Sequence, residues 1–234
     1  MGDPLVHPEL ETFLDICARK QVRVFFVSNG VLLRDKSVSL LLHPALRQVN
    51  FSLHSFQDNF GDADPTTYLE RIFRYTEAAF ESRPDLYINY RLWDLSHVSG
   101  TLTKQISFLE RIEERFQVSL NRSPDVRVKK GQVVKNRLYL HFDTQFVWPD
   151  LSLPILGQSG HCYGLSSHFG ILVDGTVVPC CLDKEGVIPL GNILHSPITE
   201  ILHSPRAEAI IRGFRDGKLV EDLCRRCQYI ERFA

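Results

Sequence analysis

The run Val22-Arg23-Val24-Phe25-Phe26-Val27-Ser28, stopped by Asn29-Gly30, has the make-up of a buried strand. It is apolar, rich in Val and Phe, too short for a helix, and closed by a turn dipeptide. Before it, Pro8 is placed in the first turn of a helix running to about Lys20, with Leu10, Phe13, Leu14, Cys17 and Ala18 at helical spacing. Cys17 therefore reads as a small core hydrophobe. After it, Asp35 to about Leu46 is helical with a break at His43-Pro44, and Val49 to His54 is the next strand. Asp58 to Asp64 is a polar loop. Pro65 opens a helix to about Ser82, with Tyr68, Ile72, Tyr75 and Ala79 on one face. Leu86 to Trp93 is a third strand and Leu138 to Phe142 a further one, the latter following the basic segment Val128-Lys129-Lys130-Gly131-Gln132. Between them Leu102 to about Phe116 is an amphipathic helix with Ile106, Leu109, Ile112 and Phe116 inward. Its charges, Glu110, Arg111, Glu113, Glu114 and Arg115, read as a solvated face. Alternating strands and helices predict parallel strands joined by right-handed crossovers. About four strands are too few for a closed eight-stranded barrel, so the expectation is α/β, an open sheet or part of a barrel.

Composition narrows the function. The 234 residues carry 27 Lys+Arg against 28 Asp+Glu, a net charge of -1, which argues against electrostatic binding of nucleic acid. No apolar stretch approaches the roughly 18 residues of a membrane span, and no apolar leader opens the sequence. The expected setting is cytoplasmic and reducing.

Five of the six cysteines lie in the last third: Cys162, Cys180, Cys181, Cys224 and Cys227. In a reducing setting, clustered cysteines read as metal ligands rather than disulfides. Residues 145–160 hold Trp148-Pro149, Pro154, Gly157 and Gly160 and are expected to be a linker between a domain at 1–144 and a second at 161–234. In the second, Phe169 to Val173 and Thr176 to Cys180 flank Asp174-Gly175, a hairpin signal, and two short helices start at Pro197 and Pro205. Cys224-x-x-Cys227 puts two thiolates on one turn, and Cys162 and Cys180 can complete a four-thiolate site. That set suits zinc and an iron–sulfur cluster equally. Cys181 points away from Cys180 if the strand continues through both. Large apolar side chains are few here, so a metal would also act as a staple. His161 and His168 are further nitrogen donors near Cys162, and Asp183 is placed to accept backbone N–H bonds after the hairpin.

These residues resemble a family. Cys162, Gly175-Thr-Val-Val-Pro-Cys180-Cys181, Asp183, Gly186, Leu190-Gly191-Asn192 and Cys224-x-x-Cys227 are similar to the SPASM/twitch auxiliary-cluster domain of radical S-adenosylmethionine (SAM) enzymes. The N-terminal part is similar to pieces of the barrel of that family. Gly2-Asp3-Pro4-Leu5-Val6-His7-Pro8 resembles its Gly-Glu-Pro turn, Ser28-Asn29-Gly30 its Thr-Asn-Gly, and Ser52-Leu53-His54 the end of its fourth strand. The resemblance implies a partial (β/α) barrel followed by a small domain with a β-hairpin and short helices. It implies an auxiliary 4Fe–4S cluster on Cys162, Cys180, Cys224 and Cys227. It implies SAM contacts from Gly2, Asp3, Pro4, Ser28, Asn29 and Ser52, with Arg91 reaching the cofactor carboxylate. The substrate class it implies is a peptide or small molecule. The family's C-x3-C-x2-C loop is not in this sequence, which reads as an N-terminally shortened member unable by itself to cleave SAM. An incomplete barrel would leave a sheet edge for a partner to cover. The alternative expectation is a non-enzymatic binding module stapled by zinc.

Overall fold

The computed structural model describes residues 2–95 and 106–233. The chain divides into two compact units, Met1–Gln145 and Phe146–Ala234.

The first unit is α/β. A 3₁₀ turn at Pro4–Val6 leads into α1 (Leu10–Arg19), β1 (Val24–Ser28), α2 (Asp35–Leu41), β2 (Leu46–Ser52), α3 (Phe56–Phe60), α4 (Thr66–Ser82), β3 (Tyr87–Leu95), α5 (Ile106–Phe116), β4 (Gly131–Lys135) and β5 (Leu138–Thr144). The sheet order is β1-β2-β3-β5-β4. Strands β1, β2, β3 and β5 run parallel, as the alternating pattern predicts, and β4 is antiparallel to β5. Strand β4 falls where the sequence shows only a basic segment. Its Gly131-Gln132-Val133-Val134-Lys135 is half polar, and it is formed by folding back on β5 through Asn136, whose φ is 50°. The loop expected at 58–64 is entered by a short helix: Phe56 and Phe60, one turn apart, lie 5.0 Å from each other and Phe56 lies 4.9 Å from Tyr68. The first residues of the helix expected from Leu102 lie outside the described residues.

Alternate residues of the strands decide which side is core. Val49 and Phe51, Ile88, Tyr90 and Leu92, and Leu138, Leu140 and Phe142 are buried in one cluster with Ile72, Tyr75 and Ala79 of α4 and Leu109, Ile112 and Phe116 of α5. The buried hydroxyls are satisfied, Tyr90 by Thr76 at 2.6 Å and Tyr75 by donating to the Leu41 carbonyl at 3.0 Å. Gly30 after β1 has φ 76°, and a Cβ there would stand 2.9 Å from Ile72 Cδ1, so glycine is required by both conformation and space. Cys17 is half-buried against this core, as its spacing predicts. The charges of α5 are less solvated than the sequence suggests: Arg115 donates to Glu77 at 2.7 and 2.8 Å and to Glu70 at 3.3 Å, both on α4.

The second unit holds a small antiparallel sheet, order β6-β7-β8, of β6 (Gly170–Ile171), β7 (Thr176–Val178) and β8 (Gly191–Asn192). Helices α6 (Ile198–Leu202) and α7 (Pro205–Arg215) follow. Ser204 caps α7 by accepting from Ala207 N at 3.4 Å, and Pro205 fills its first turn, where an N–H is dispensable. Val177, Ile188, Ile201, Ala207, Ile210, Phe214 and Leu219 form the core. Of residues 145–160, read from sequence as a linker, those from Phe146 on belong to this unit and are tied into it by backbone bonds. Leu156 N donates to Arg225 O at 2.8 Å, Gly160 N to Gly217 O at 3.0 Å, and Leu219 N to Gln158 O at 2.9 Å. Pairing through the main chain leaves no side-chain period to read. Among the described residues no helix is long and apolar enough to cross a membrane.

Candidate functional site

In the second unit the thiols are brought in from three separate segments. Cys162 precedes a bend in which Gly164 N points at Cys162 Sγ, 3.4 Å away. A Cβ on Gly164 would stand 3.3 Å from the Pro179 carbonyl, so this bend lies against the residues leading into Cys180. Strand β7 ends at Val178, so Cys180 sits in the bend beyond it, where its carbonyl accepts from Asp183 N at 3.3 Å and the nearby backbone N–H groups of Leu182 and Asp183 favour its thiolate. Burial pushes its thiol up to about 11, against those two N–H groups. Cys224 opens a 3₁₀ turn closed by Cys227 N donating to Cys224 O at 3.3 Å. Burial pushes the Cys224 thiol far up, and the Cys180, Cys162 and Cys227 sulfurs push the same way, since neighbouring thiolates repel. Cys162 and Cys224 also pack against the small core.

Cys181 follows the end of β7 too, so strand alternation no longer separates it from Cys180. Its residue is exposed, and its thiol is raised by burial first and by Cys162 beside it last. His161 Nδ1 lies 3.0 Å from the Phe214 carbonyl and His168 Nδ1 lies 2.9 Å from Ser167 Oγ. Asp183 is 2% exposed and accepts from Val187 N and Ile188 N, both at 2.8 Å, the loop-fixing role its position suggests. Among the described residues no three or more His, Cys, Asp or Glu side chains close around the position of a single metal ion.

In the first unit the residues singled out from sequence lie at the C-terminal ends of the parallel strands, where α/β proteins place their ligands. Asp3 joins two of the segments. Its carboxylate accepts from Ser28 Oγ at 2.7 Å, Asn29 N at 2.8 Å and Leu5 N at 3.0 Å. Gly2, Asp3 and Pro4 are thus fixed beside Ser28 and Asn29. Ser52 and Arg91 stand opposite each other in the β2–β3 register, and Arg91 stands opposite His141 in the β3–β5 register. The Arg91 guanidinium lies 4.5 Å from the centre of the Trp93 ring, and burial lowers its pKa.

The same sheet face carries polar residues that the sequence reading passed over. Gln48 donates to Asn50 at 2.7 Å, and Asn89 donates to Asn50 at 2.9 Å. Trp93 Nε1 donates to His141 Nδ1 at 3.0 Å, and His54 stacks on Trp93 with ring centres 6.1 Å apart. The signal was present as a period of two: Gln48-x-Asn50-x-Ser52 and Asn89-x-Arg91-x-Trp93 alternate with the core residues. A strand buried on one face only, with polar groups on the other, is what a ligand-lining sheet requires.

Residues 162–228 match the SPASM family, an iron-sulfur cluster-binding domain. That segment lies within the second unit, and the fold of the chain is shared with solved structures. Solved structures to which the chain is similar include two crystal structures of SuiB from Streptococcus suis. One superposes with a TM-score of 0.55 at 14% identity over 89% of this chain. The other, bound to S-adenosylmethionine, gives 0.54 at 16% over the same share. The chain spans 55% of the length of either. No curated protein matches it.

Proposed function

We propose that the chain holds an auxiliary 4Fe–4S cluster on Cys162, Cys180, Cys224 and Cys227, as part of a radical SAM protein that modifies a peptide or small molecule. The observation that carries this reading is that Cys162, Cys180, Cys224 and Cys227 all lie inside the segment, residues 162–228, that matches an iron-sulfur cluster-binding domain. The donor set fits: four soft thiolates from a bend, a strand end and a tight turn, with no hard oxygen ligand among them. When bound, such a cluster, with every iron held by a cysteine, would supply a one-electron centre. The chain's own part is to hold the thiolates in place. Asp183 fixes the loop after Cys180–Cys181, and the Cys224–Arg226 turn fixes the closing pair. On the sheet, Gly2, Asp3, Pro4, Ser28, Asn29, Ser52 and Arg91 form the face proposed to receive S-adenosylmethionine. Arg91 supplies the charge-assisted donor for a carboxylate.

Anaerobic reconstitution tests the metal centre. The expected result is a broad visible charge-transfer band with about four irons per chain, falling on Cys180→Ala or Cys224→Ala substitution. One zinc per chain and no colour, with the same four cysteines required, would replace the cluster by a structural zinc site.

A further inference from the structure

A cleft of about 480 Å³ opens beside the β1–α2 connection, α2 and α4 of the first unit. Its apolar lining is Leu33, Val38 and Ala78, and its charged lining is Arg34, Arg71 and Arg74 with Asp35 as the single carboxylate. Arg71, Arg74 and Ala78 recur at three and four residues along α4 and share one stripe of it. The acidic residues of the neighbouring stripe, Glu70 and Glu77, are drawn to Arg115 of α5 and do not compensate this one. Glu81, the next carboxylate along the arginine stripe, lies about two turns beyond Arg74 and outside the cleft. Arg71 and Arg74 are exposed and have no hydrogen-bond or ion-pair partner among the described residues. Arg34 is held in place by donating to the Val31 and Leu33 carbonyls, both at 3.0 Å, and also has no carboxylate partner among them.

Three guanidiniums around an apolar floor, opposed by one carboxylate, specify the occupant by charge. The volume lies within the roughly 300–1,000 Å³ of ligand-binding clefts and exceeds what one small inorganic anion fills. The floor calls for apolar side chains between the acidic ones. We infer that this cleft docks an acidic peptide segment, with Glu or Asp side chains on Arg34, Arg71 and Arg74 and aliphatic side chains on Leu33, Val38 and Ala78. This inference does not depend on the iron–sulfur reading, because the cleft belongs to the other unit and needs no metal.

The test uses fluorescence anisotropy of the full chain at low salt with a labelled Glu-Leu-Glu-Glu-Leu-Glu peptide. Binding should weaken at least about tenfold in the Arg71→Glu, Arg74→Glu double variant, and to a smaller degree in Arg71→Gln, Arg74→Gln. It should weaken as salt rises. The Arg19→Glu, Arg23→Glu variant changes net charge equally at exposed positions outside the cleft and should bind within about twofold of the parent. All four substituted positions are exposed, so unchanged melting curves are expected to accompany these results. The inference is overturned if the parent does not bind the peptide, or if both double variants lose it equally. It is overturned as well if millimolar inorganic phosphate displaces the peptide, or if light scattering shows the cleft occupied by a second copy of the chain.

Discussion

Among the described residues, thirty buried apolar side chains hold the first unit together, ten of them aromatic. Nine hold the second, and Phe214 is the one aromatic among them. The first unit has about 145 residues and the second about 89, so length alone does not account for the difference. Strands in the second unit are two or three residues long. The second unit is a scaffold of turns whose main chain and sulfurs do what side-chain packing does in the first. Small units of that kind depend on a metal, a disulfide or dense hydrogen bonding. In the proposed reading the cluster on these cysteines would be a staple for the second unit, and removing it should act on that unit and spare the other.

The largest expected effect follows from that asymmetry. Stripping the reconstituted protein with a chelator should abolish amide protection in β7 and α7 while leaving Val49–Phe51 of β2 and Ile88–Leu92 of β3 protected. Structural metals in small modules contribute on the order of 10 kcal/mol, more than a core of this size can replace. Hydrogen exchange read by mass spectrometry, with and without chelator, separates the two units in one experiment. Equal loss in both, or none in the second, breaks the contrast.

A smaller effect sharpens it. Asp183→Ala removes the acceptor of one buried and one part-buried backbone N–H group and should cost the second unit about 2–3 kcal/mol, since an orphaned buried donor keeps its desolvation penalty. Tyr90→Phe in the first unit removes one hydroxyl that shares a bond with Thr76 and keeps the ring in place. About 1 kcal/mol is expected there. Urea dependence of exchange, followed separately in each unit, checks both values. A Tyr90→Phe cost as large as that of Asp183→Ala would mean that hydrogen bonding matters no more in the small unit than in the large one.

The same contrast governs what the sequence reveals. The parallel strands β1, β2, β3 and β5 and the helices α1, α4 and α5 bury side chains, and burial writes a period of two or 3.6 residues into the chain. What packs through backbone is silent. Strand β4 is held by pairing to β5, and residues 146–160 are held by bonds to Gly217, Leu219 and Arg225, so they read as a basic segment and a linker. The thiols were legible because cysteine is rare and its spacing is chemical. The polar face of the sheet was written in the sequence as alternation. It was passed over because Asn50 and Asn89 belong to no metal or nucleophile pattern, and their partnership appears only once β2 and β3 are paired.

That polar face also supplies the smallest effect. His141 sits between Arg91 of β3 and the Lys130–Asp143 ion pair, with Trp93 Nε1 donating to its Nδ1. Burial lowers its pKa from 6.5, Arg91 and Lys130 lower it further, and Asp143 opposes them. A ring that accepts from Trp93 must be unprotonated at that nitrogen, which agrees with the direction of the shift. The unfolded chain takes up a proton near pH 6.5, before the folded one does. The contribution of His141 to stability is therefore fully present above that pH and is lost as the pH falls from there through the lower folded value. His141 is half-buried and solvent screens its charge, so the slope will be shallow. Exchange in β5 measured at pH 8 and pH 5.5 should show less protection at the lower pH, and His141→Gln should remove that part of the difference. A His141→Gln chain with the parent's full pH dependence would assign it to other groups. It would leave the open face of the sheet, like its core face, indifferent to protons.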